Sequence, residues 1–310
     1  MNIRPMNIHA AINNAPPALD FVLPGLLAGT AGTIVGAGAV GKTTLLLQLA
    51  AAMSSNVGNT DDILPLSGIP SRIVYIAAEE SADILRIRLH AIYNRMGERV
   101  ASTSLLLPEG ACNPVSLMEQ NLCLLPAAGH SVFLVKDGAP TPFLEQLCQF
   151  CHGARLVIID PLRRLHDGDE NSSAAMTQVV QALEFLAQRT GAAVIAAHHM
   201  NKGAVFAGAA DSAAASRGSS ALTDAVRWQL NLSSMTEAEA KTFGVLSERK
   251  SYLRLDFAKA NYIASPPTRW LKRLDGGVLR PVNLGKDGGK SSTAARAKRG
   301  AGSAKEFVYV

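Results

Sequence analysis

The sequence predicts an α/β fold, with a twisted, mainly parallel central sheet flanked by helices and β additions toward the C-terminus. Apolar, β-branched runs alternate with stretches of helical periodicity, and each run is continuous, the pattern of strands covered on both faces. Polar residues punctuate the ends of those runs, at Lys42, Glu79, Glu80, Asp160, His198 and His199, where open parallel sheets gather their ligands. Between the first strong run and its helix lies GAGAVGKTT, Gly36 to Thr44, which fits the phosphate-loop pattern G-x-x-x-x-G-K-S/T at every fixed position.

Taken in order, Phe21 to Val40 is apolar enough to resemble a membrane or signal segment, but Pro24 and the glycines at 25, 29, 32, 36 and 38 interrupt it. No basic start and small-residue cleavage pattern frames it. A buried first strand at Thr33–Val35, no membrane partner and a cytoplasmic protein are expected. A helix follows from Lys42 to about Met53, with Leu45, Leu46, Leu49 and Ala50 on its apolar side. SRIVYIAAEE (71–80) reads as a strand ending in carboxylates, then a helix to about Met96. Segments 104–109 and 131–138 read as further strands, and 141–152 as a helix. RLVIID (155–160) is a strand ending in Asp, Ser173–Arg189 a helix with Met176, Val179, Val180, Leu183 and Leu186 on one face, and AAVIAAHHM (192–200) a strand ending in two histidines. Two-thirds of residues 200–220 are Ala, Gly or Ser, a composition that inside a compact domain marks a functional or mobile loop. Strands at DAVRWQLNLSS and SYLRLDFAKANYI, and a hairpin turning at Asp275-Gly276-Gly277, complete the pattern.

Composition excludes global disorder, since 48% of the 310 residues are hydrophobic and only 18% charged. Aromatic residues make up only 5%, so contacts with a nucleic acid would run through phosphates rather than stacked bases. From Gly285 onward six basic residues stand against two acidic ones, so this segment holds four of the five net positive charges. It reads as a flexible basic tail, either solubilising or a non-specific tether to nucleic acid. Cys148-Gln149-Phe150-Cys151-His152 matches the haem-attachment pattern, yet Phe143, Leu144, Leu147, Cys148 and Cys151 recur at helical spacing and predict a buried helix face.

The chemistry follows from the polar punctuation. Gly36, Gly38 and Gly41 let backbone N–H groups approach phosphates, and the following helix adds its positive end. Lys42 reaches the β- and γ-phosphates, Thr43 offers a hydroxyl to Mg²⁺, and Thr44 completes the loop, so ATP and Mg²⁺ are the expected cofactors. Asp160 stands where a Walker B carboxylate holds the metal. Pro161 rather than Glu follows it, so the base for hydrolysis is sought at Glu79 or Glu80; alternation favours only one of them, and Glu79 is preferred. Of the adjacent histidines, His199 is favoured as the group sensing the γ-phosphate.

Together GAGAVGKT, IVYIAAEE, RLVIIDPLRRLH, VIAAHHMNKG, SRGSS and VRWQLNLSSMT closely resemble the RepA family of ring-shaped, hexameric plasmid replicative helicases, which are RecA-like ATPases. The resemblance runs from about Ala15 to Val282 and implies an N-terminal arm (1–30), a RecA-like ATPase domain (31–284) and a flexible tail (285–310). It implies that Glu79 is the catalytic base, Asp160 the Walker B carboxylate and His199 the sensor. Arg227, on its own an ordinary exposed strand residue, becomes the arginine finger inserted into a neighbouring subunit, with Lys259 at the same interface. Loops Arg163–Asn171 and Met200–Ser220 would face the ring's channel, where Lys202 and Arg217 contact single-stranded DNA. The implied partners are single-stranded DNA, further copies in a homohexamer, and replication initiator or primase proteins as further candidates. Two features depart from the family pattern: Glu80 replaces an Asp, and Ala111–Pro142, containing Lys136-Asp137-Gly138, matches less well. The alternatives are a RecA-like DNA-binding ATPase without unwinding activity and a slow nucleotide-dependent switch.

Overall fold

The structure, a computed structural model, describes residues 4–55, 63–103, 113–199 and 220–285. A short helix, α1 (Ile8–Asn13), precedes the main body, whose centre is a nine-stranded sheet. Six strands are mutually parallel, in spatial order β5 (Leu122–Pro126), β4 (Ile73–Ala77), β8 (Leu156–Asp160), β9 (Ala193–His199), β3 (Ala31–Gly36) and β10 (Trp228–Ser234). Beyond β10 the antiparallel strands β11 (Tyr252–Ala260), β12 (Arg269–Arg273) and β13 (Leu279–Val282) extend the sheet. A small hairpin, β1 (Phe21–Leu23) and β2 (Leu26–Leu27), leads into β3 and buries Val22, Leu23 and Leu26 in the core.

Strand alternation sorts side chains onto two cores. Ile73, Tyr75 and Ala77 of β4, Leu156 and Ile158 of β8, and Ala193, Ile195 and Ala197 of β9 face helices α2 (Lys42–Ser55), α3 (Ala82–Thr103) and α4 (Pro114–Asn121). Val74 and Ile76, Val157 and Ile159, and Val194 and Ala196 face α5 (Pro142–Phe150) and α6 (Ser173–Thr190). Both faces are covered, which is why the central strands read as unbroken apolar runs. Helix α6 shows the local logic. Ser172 caps its start by accepting from the Ala175 N–H, and Gly191, at φ 72°, ends it by returning its N–H to Ala187 O. Among the described residues no helix is long and apolar enough to cross a membrane.

The Cys-x-x-Cys-His segment lies as the helical spacing predicts. Leu144, Leu147 and Cys148 are buried on α5, Cys151 is buried just beyond its end, and burial pushes the Cys151 thiol up to about 12. Two other expectations need correction. The sixth parallel strand is Leu122–Pro126, which carries no clear strand pattern in the sequence, whereas 131–138 contributes only Val135–Lys136 (β6) to a two-residue hairpin with Ala139–Pro140 (β7). Val132, Leu134 and Val135 are buried, but under the α5–α6 face rather than in the sheet. Their backbone pairs with loops instead: the Leu134 N–H donates to Leu165 O and the Thr141 N–H to Leu134 O. Residues 104–109 lie outside the described residues.

Trp228 locks the β1–β2 hairpin, β3 and β10 together. It is fully buried, donates from Nε1 to Pro24 O at 2.9 Å, and meets Phe257 edge-on at 6.4 Å between ring centroids. Gly32 makes room for it, since a Cβ there would stand 2.7 Å from Trp228 Cε3. Gly32→Ala is therefore expected to destabilise the fold by about 1–3 kcal/mol through overpacking. A denaturant titration checks this: the midpoint should fall with the slope unchanged, and an unmoved midpoint would show that Trp228 has room to yield.

Candidate active site

The phosphate loop joins β3 to α2 at the carboxyl edge of the sheet. A Cβ on Gly36 would come within 2.6 Å of Leu232 O, so only glycine lets β3 lie this close to β10. Gly41 has φ +114°, outside the range of ordinary L-residues. Nothing stands within 4 Å of where a Gly38 Cβ would be, so the loop presents open backbone on that side. The 14-residue α2 begins at Lys42 and directs its N-terminal amides and dipole at the same place. Lys42 is buried, and its Nζ donates to Gly36 O at 2.8 Å and Ala37 O at 2.9 Å. Burial pushes this ammonium's pKa down, while the charges of Asp160 and Glu79 oppose the shift. Thr43 is half-buried in the first turn of α2. An open backbone cradle, a buried cation and a buried carboxylate are the groups a nucleotide triphosphate with Mg²⁺ requires, so the residues fit both.

Asp160 ends β8 and is buried. Its Oδ2 accepts a 2.8 Å hydrogen bond from the Tyr75 hydroxyl, and its backbone O accepts from the Ala78 N–H. Burial first, and then the Asp160 charge, push the Tyr75 phenol well above its usual range, so it remains a donor. Tyr75 thus fixes one carboxylate oxygen and leaves the other for a metal or its water. Losing such a bond costs about 0.5–1.5 kcal/mol, so Tyr75→Phe should raise the Mg²⁺ concentration for half-maximal hydrolysis roughly two- to tenfold. An unchanged Mg²⁺ titration would reduce the bond to a packing detail.

The two carboxylates after β4 part company. Glu79 is exposed, close enough to Lys42 for its charge to act there, and accepts from Arg164 Nε at 2.9 Å. Glu80 is half-buried and accepts from Arg88 at 2.9 Å, and the same guanidinium donates to Thr44 Oγ1 at 3.2 Å. Glu80 is therefore engaged between α2 and α3, while Glu79 pairs with the turn after β8, its charge still felt at Lys42. His199 pairs in register with Gly36 across β9 and β3, and alternation from Ala193, Ile195 and Ala197 sets it on the α2 face, with His198 buried on the other.

Arg227 is elsewhere. It is exposed at the start of β10, beside Trp228, whose register partner is Gly32; the phosphate loop leaves the sheet at Gly36, beside Leu232. It thus lies at the opposite edge of the sheet from Lys42. Lys259 donates from Nζ to Thr223 O and Asp224 O, closing the end of the short helix Ser220–Ala225. Lys202 and Arg217 lie outside the described residues.

Tyr75, Arg88 and Arg273 join this site with no role expected from the sequence, and Arg164 is expected only as part of a channel-facing loop. Tyr75 shares strand parity with Ala77 and Glu79, a signal that was available. Arg273 ends β12, 233 residues along the chain from Val40, whose O accepts from its Nη2 at 2.6 Å; nothing local marks it as a brace on the phosphate loop.

Residues 2–205 match the AAA_25 family, described as an AAA domain. The chain belongs to that family. Arg227 and the three antiparallel strands of this AAA-family chain lie beyond the matched span. Among solved structures it is similar to one described as an ATPase domain, with TM-score 0.56 and 18% identity over 83% of this chain and 86% of that one. It is also similar to a DnaB-like replicative helicase described with its interactions with primase, with TM-score 0.54 and 18% identity over 80% of this chain and 56% of that one. At these identities the likeness concerns the fold, which is RecA-like, with a mixed central sheet between helical layers.

Proposed function

We propose that this AAA-family protein is a ring-shaped, ATP-dependent DNA helicase that translocates on single-stranded DNA, in the replication of a plasmid or mobile element. The observation that carries the reading is the division of the catalytic set: Lys42, Asp160, Glu79 and His199 gather at one edge of the sheet, while Arg227 stands exposed at the other. An enzyme of this plan is complete only where the Arg227 edge of one copy meets the Lys42 edge of the next, which supports a closed homo-oligomer, a hexamer by the RepA resemblance. Likeness in fold to a replicative helicase supports DNA as the substrate, with initiator or primase proteins as further partners and the cytoplasm as the location.

In this reading bound ATP would supply the phosphoryl group and Mg²⁺ would offset the negative charge that develops on it. Lys42 and the Gly36–Gly41 amides hold the phosphates, Thr43 and Asp160 hold the metal, and Glu79 accepts the proton of the attacking water. His199, last on its strand and directly before the Ala/Gly/Ser-rich segment, reports the γ-phosphate to it. Lys202 and Arg217 contact DNA phosphates.

The second reading, a RecA-like DNA-binding ATPase that does not unwind, rests on the Val135–Pro140 hairpin with Lys136-Asp137-Gly138 at its turn, where the sequence departs from the helicase pattern. Purified protein on a forked duplex with a single-stranded tail separates the two. ATP-dependent strand displacement supports the helicase, and DNA-stimulated hydrolysis without displacement supports the alternative. A hydrolysis rate indifferent to DNA, from assembled protein, sinks both.

A further inference from the structure

The turn after Asp160 has no part in the mechanism so far, yet it touches the proposed base. Leu162–Leu165 forms a single 3-10 turn whose leucines are buried, at 0% and 1% exposure, and whose arginines project from the surface. The anchored leucines make the turn a fixed platform. Arg163 is spent locally, donating from Nη1 to its own turn's His166 O. Arg164 instead reaches across the sheet edge, and its Nε donates to Glu79 Oε1 at 2.9 Å. Both partners remain open to solvent, with 57% and 45% of the side chain exposed. Only Nε is used, so among the described residues the two terminal amino groups of Arg164 are left for another acceptor.

We propose that Arg164 is a positioning residue for Glu79, and that it holds the carboxylate toward the 3-10 turn until a phosphate of bound DNA draws the guanidinium away. The inference rests on the reading of Glu79 as the base. With Oε1 committed to Arg164, only Oε2 is left to take the proton of the attacking water, and the carboxylate is held turned toward the 3-10 turn. A backbone phosphate offers the guanidinium a bidentate, charge-assisted alternative, and a solvent-exposed ion pair biases an equilibrium by no more than about fivefold. The pair is thus weak enough to exchange partners and placed so that exchange is felt at the γ-phosphate. Polymer occupancy of the turn after Asp160 becomes a rate change at Glu79 without any large movement, because Glu79 follows β4 and the turn follows β8, and these strands are paired neighbours.

The test is steady-state ATP hydrolysis by full-length Arg164→Ala and Arg164→Lys, with and without a saturating thymidine oligonucleotide, with melting curves to confirm folding. The expected result is a DNA-free kcat raised roughly two- to fivefold in Arg164→Ala, with KM for ATP unchanged and DNA stimulation falling toward one. Arg164→Lys, which keeps the charge but not the planar fork, should retain part of both. Combined with Glu79→Gln, Arg164→Ala should give no gain, which routes the effect through Glu79. A DNA-free rate that stays the same or falls overturns the proposal, whether or not stimulation survives; lost stimulation at a low rate would make Arg164 a plain DNA contact. Full activity of Glu79→Gln alone would instead remove Glu79 as the base, a failure of the functional reading and distinguishable from the first.

Discussion

Lys42→Ala is expected to keep its fold and lose ATP hydrolysis by roughly 10²–10³-fold or more, the scale of removing one preorganised donor from a charge-developing transition state. Among the described residues Lys42 holds two loop carbonyls, Gly36 O and Ala37 O, and it is buried at a cost its hydrogen bonds offset. Substituting it therefore removes little from the ligand-free fold. Ligand linkage makes the prediction sharper. At ATP about 100 times its dissociation constant, binding should stabilise the wild type by about 2.7 kcal/mol, a rise of roughly 4–5 °C for a chain of this size. Differential scanning fluorimetry with Mg²⁺ and a non-hydrolysable ATP analogue should show that rise for the wild type and little of it for Lys42→Ala. A mutant that still hydrolyses ATP at the wild-type rate would remove the phosphate loop from the mechanism.

The parallel sheet was legible because burial on both faces leaves a strong trace: VYIA, LVIID and VIAA are unbroken apolar runs that end in chemistry. Leu122–Pro126 was not, and the reason is its place at the sheet edge. Its side chains are half-buried to exposed, and its run, Leu-Cys-Leu-Leu-Pro, is apolar but has no β-branched or aromatic residue and no polar tip, so it is too short to tell strand from helix. Residues 131–138 misled in the opposite sense. Their burial is real, but a buried loop whose carbonyls and amides pair with other loops looks, in one dimension, like a strand. At the site, residues that chemistry demands could be named from spacing, since phosphate loops and strand-end carboxylates are local patterns. The partners of those residues could not. Arg164 meets Glu79 across 85 positions, Tyr75 meets Asp160 across 85, and Arg88 meets Thr44 across 44; each pairing exists only because the fold sets two elements distant in the chain side by side.

Arg227 carries the other large expected effect, and geometry dictates its form. On β10, Trp228 is level with Gly32 and Leu232 with Gly36, so Arg227 and the phosphate loop are separated by more than four residues of strand, about 13 Å or more at ~3.3 Å per residue. They also lie beyond opposite ends of the strands, so Arg227 does not serve its own Lys42. If it stabilises the transition state in a neighbour, Arg227→Ala should lower kcat by roughly 10³–10⁵-fold, the range for such fingers in phosphoryl transfer, while the thermal shift with ATP persists. Mixing decides between this and a damaged fold. Arg227→Ala keeps a sound phosphate loop, Lys42→Ala keeps a sound finger, and a ring containing both has interfaces that combine the two. In a random equal mixture about a quarter of interfaces are of this kind, given head-to-tail closure. Two inactive proteins should therefore regain DNA-stimulated hydrolysis when mixed and reassembled, up to about a quarter of the wild-type rate if interfaces act independently and less if they fire in sequence. No recovery, from mixed oligomers verified by mass, would mean that Arg227 does not complete a neighbour's site that fires on its own, and the closed-ring reading would lose its main support.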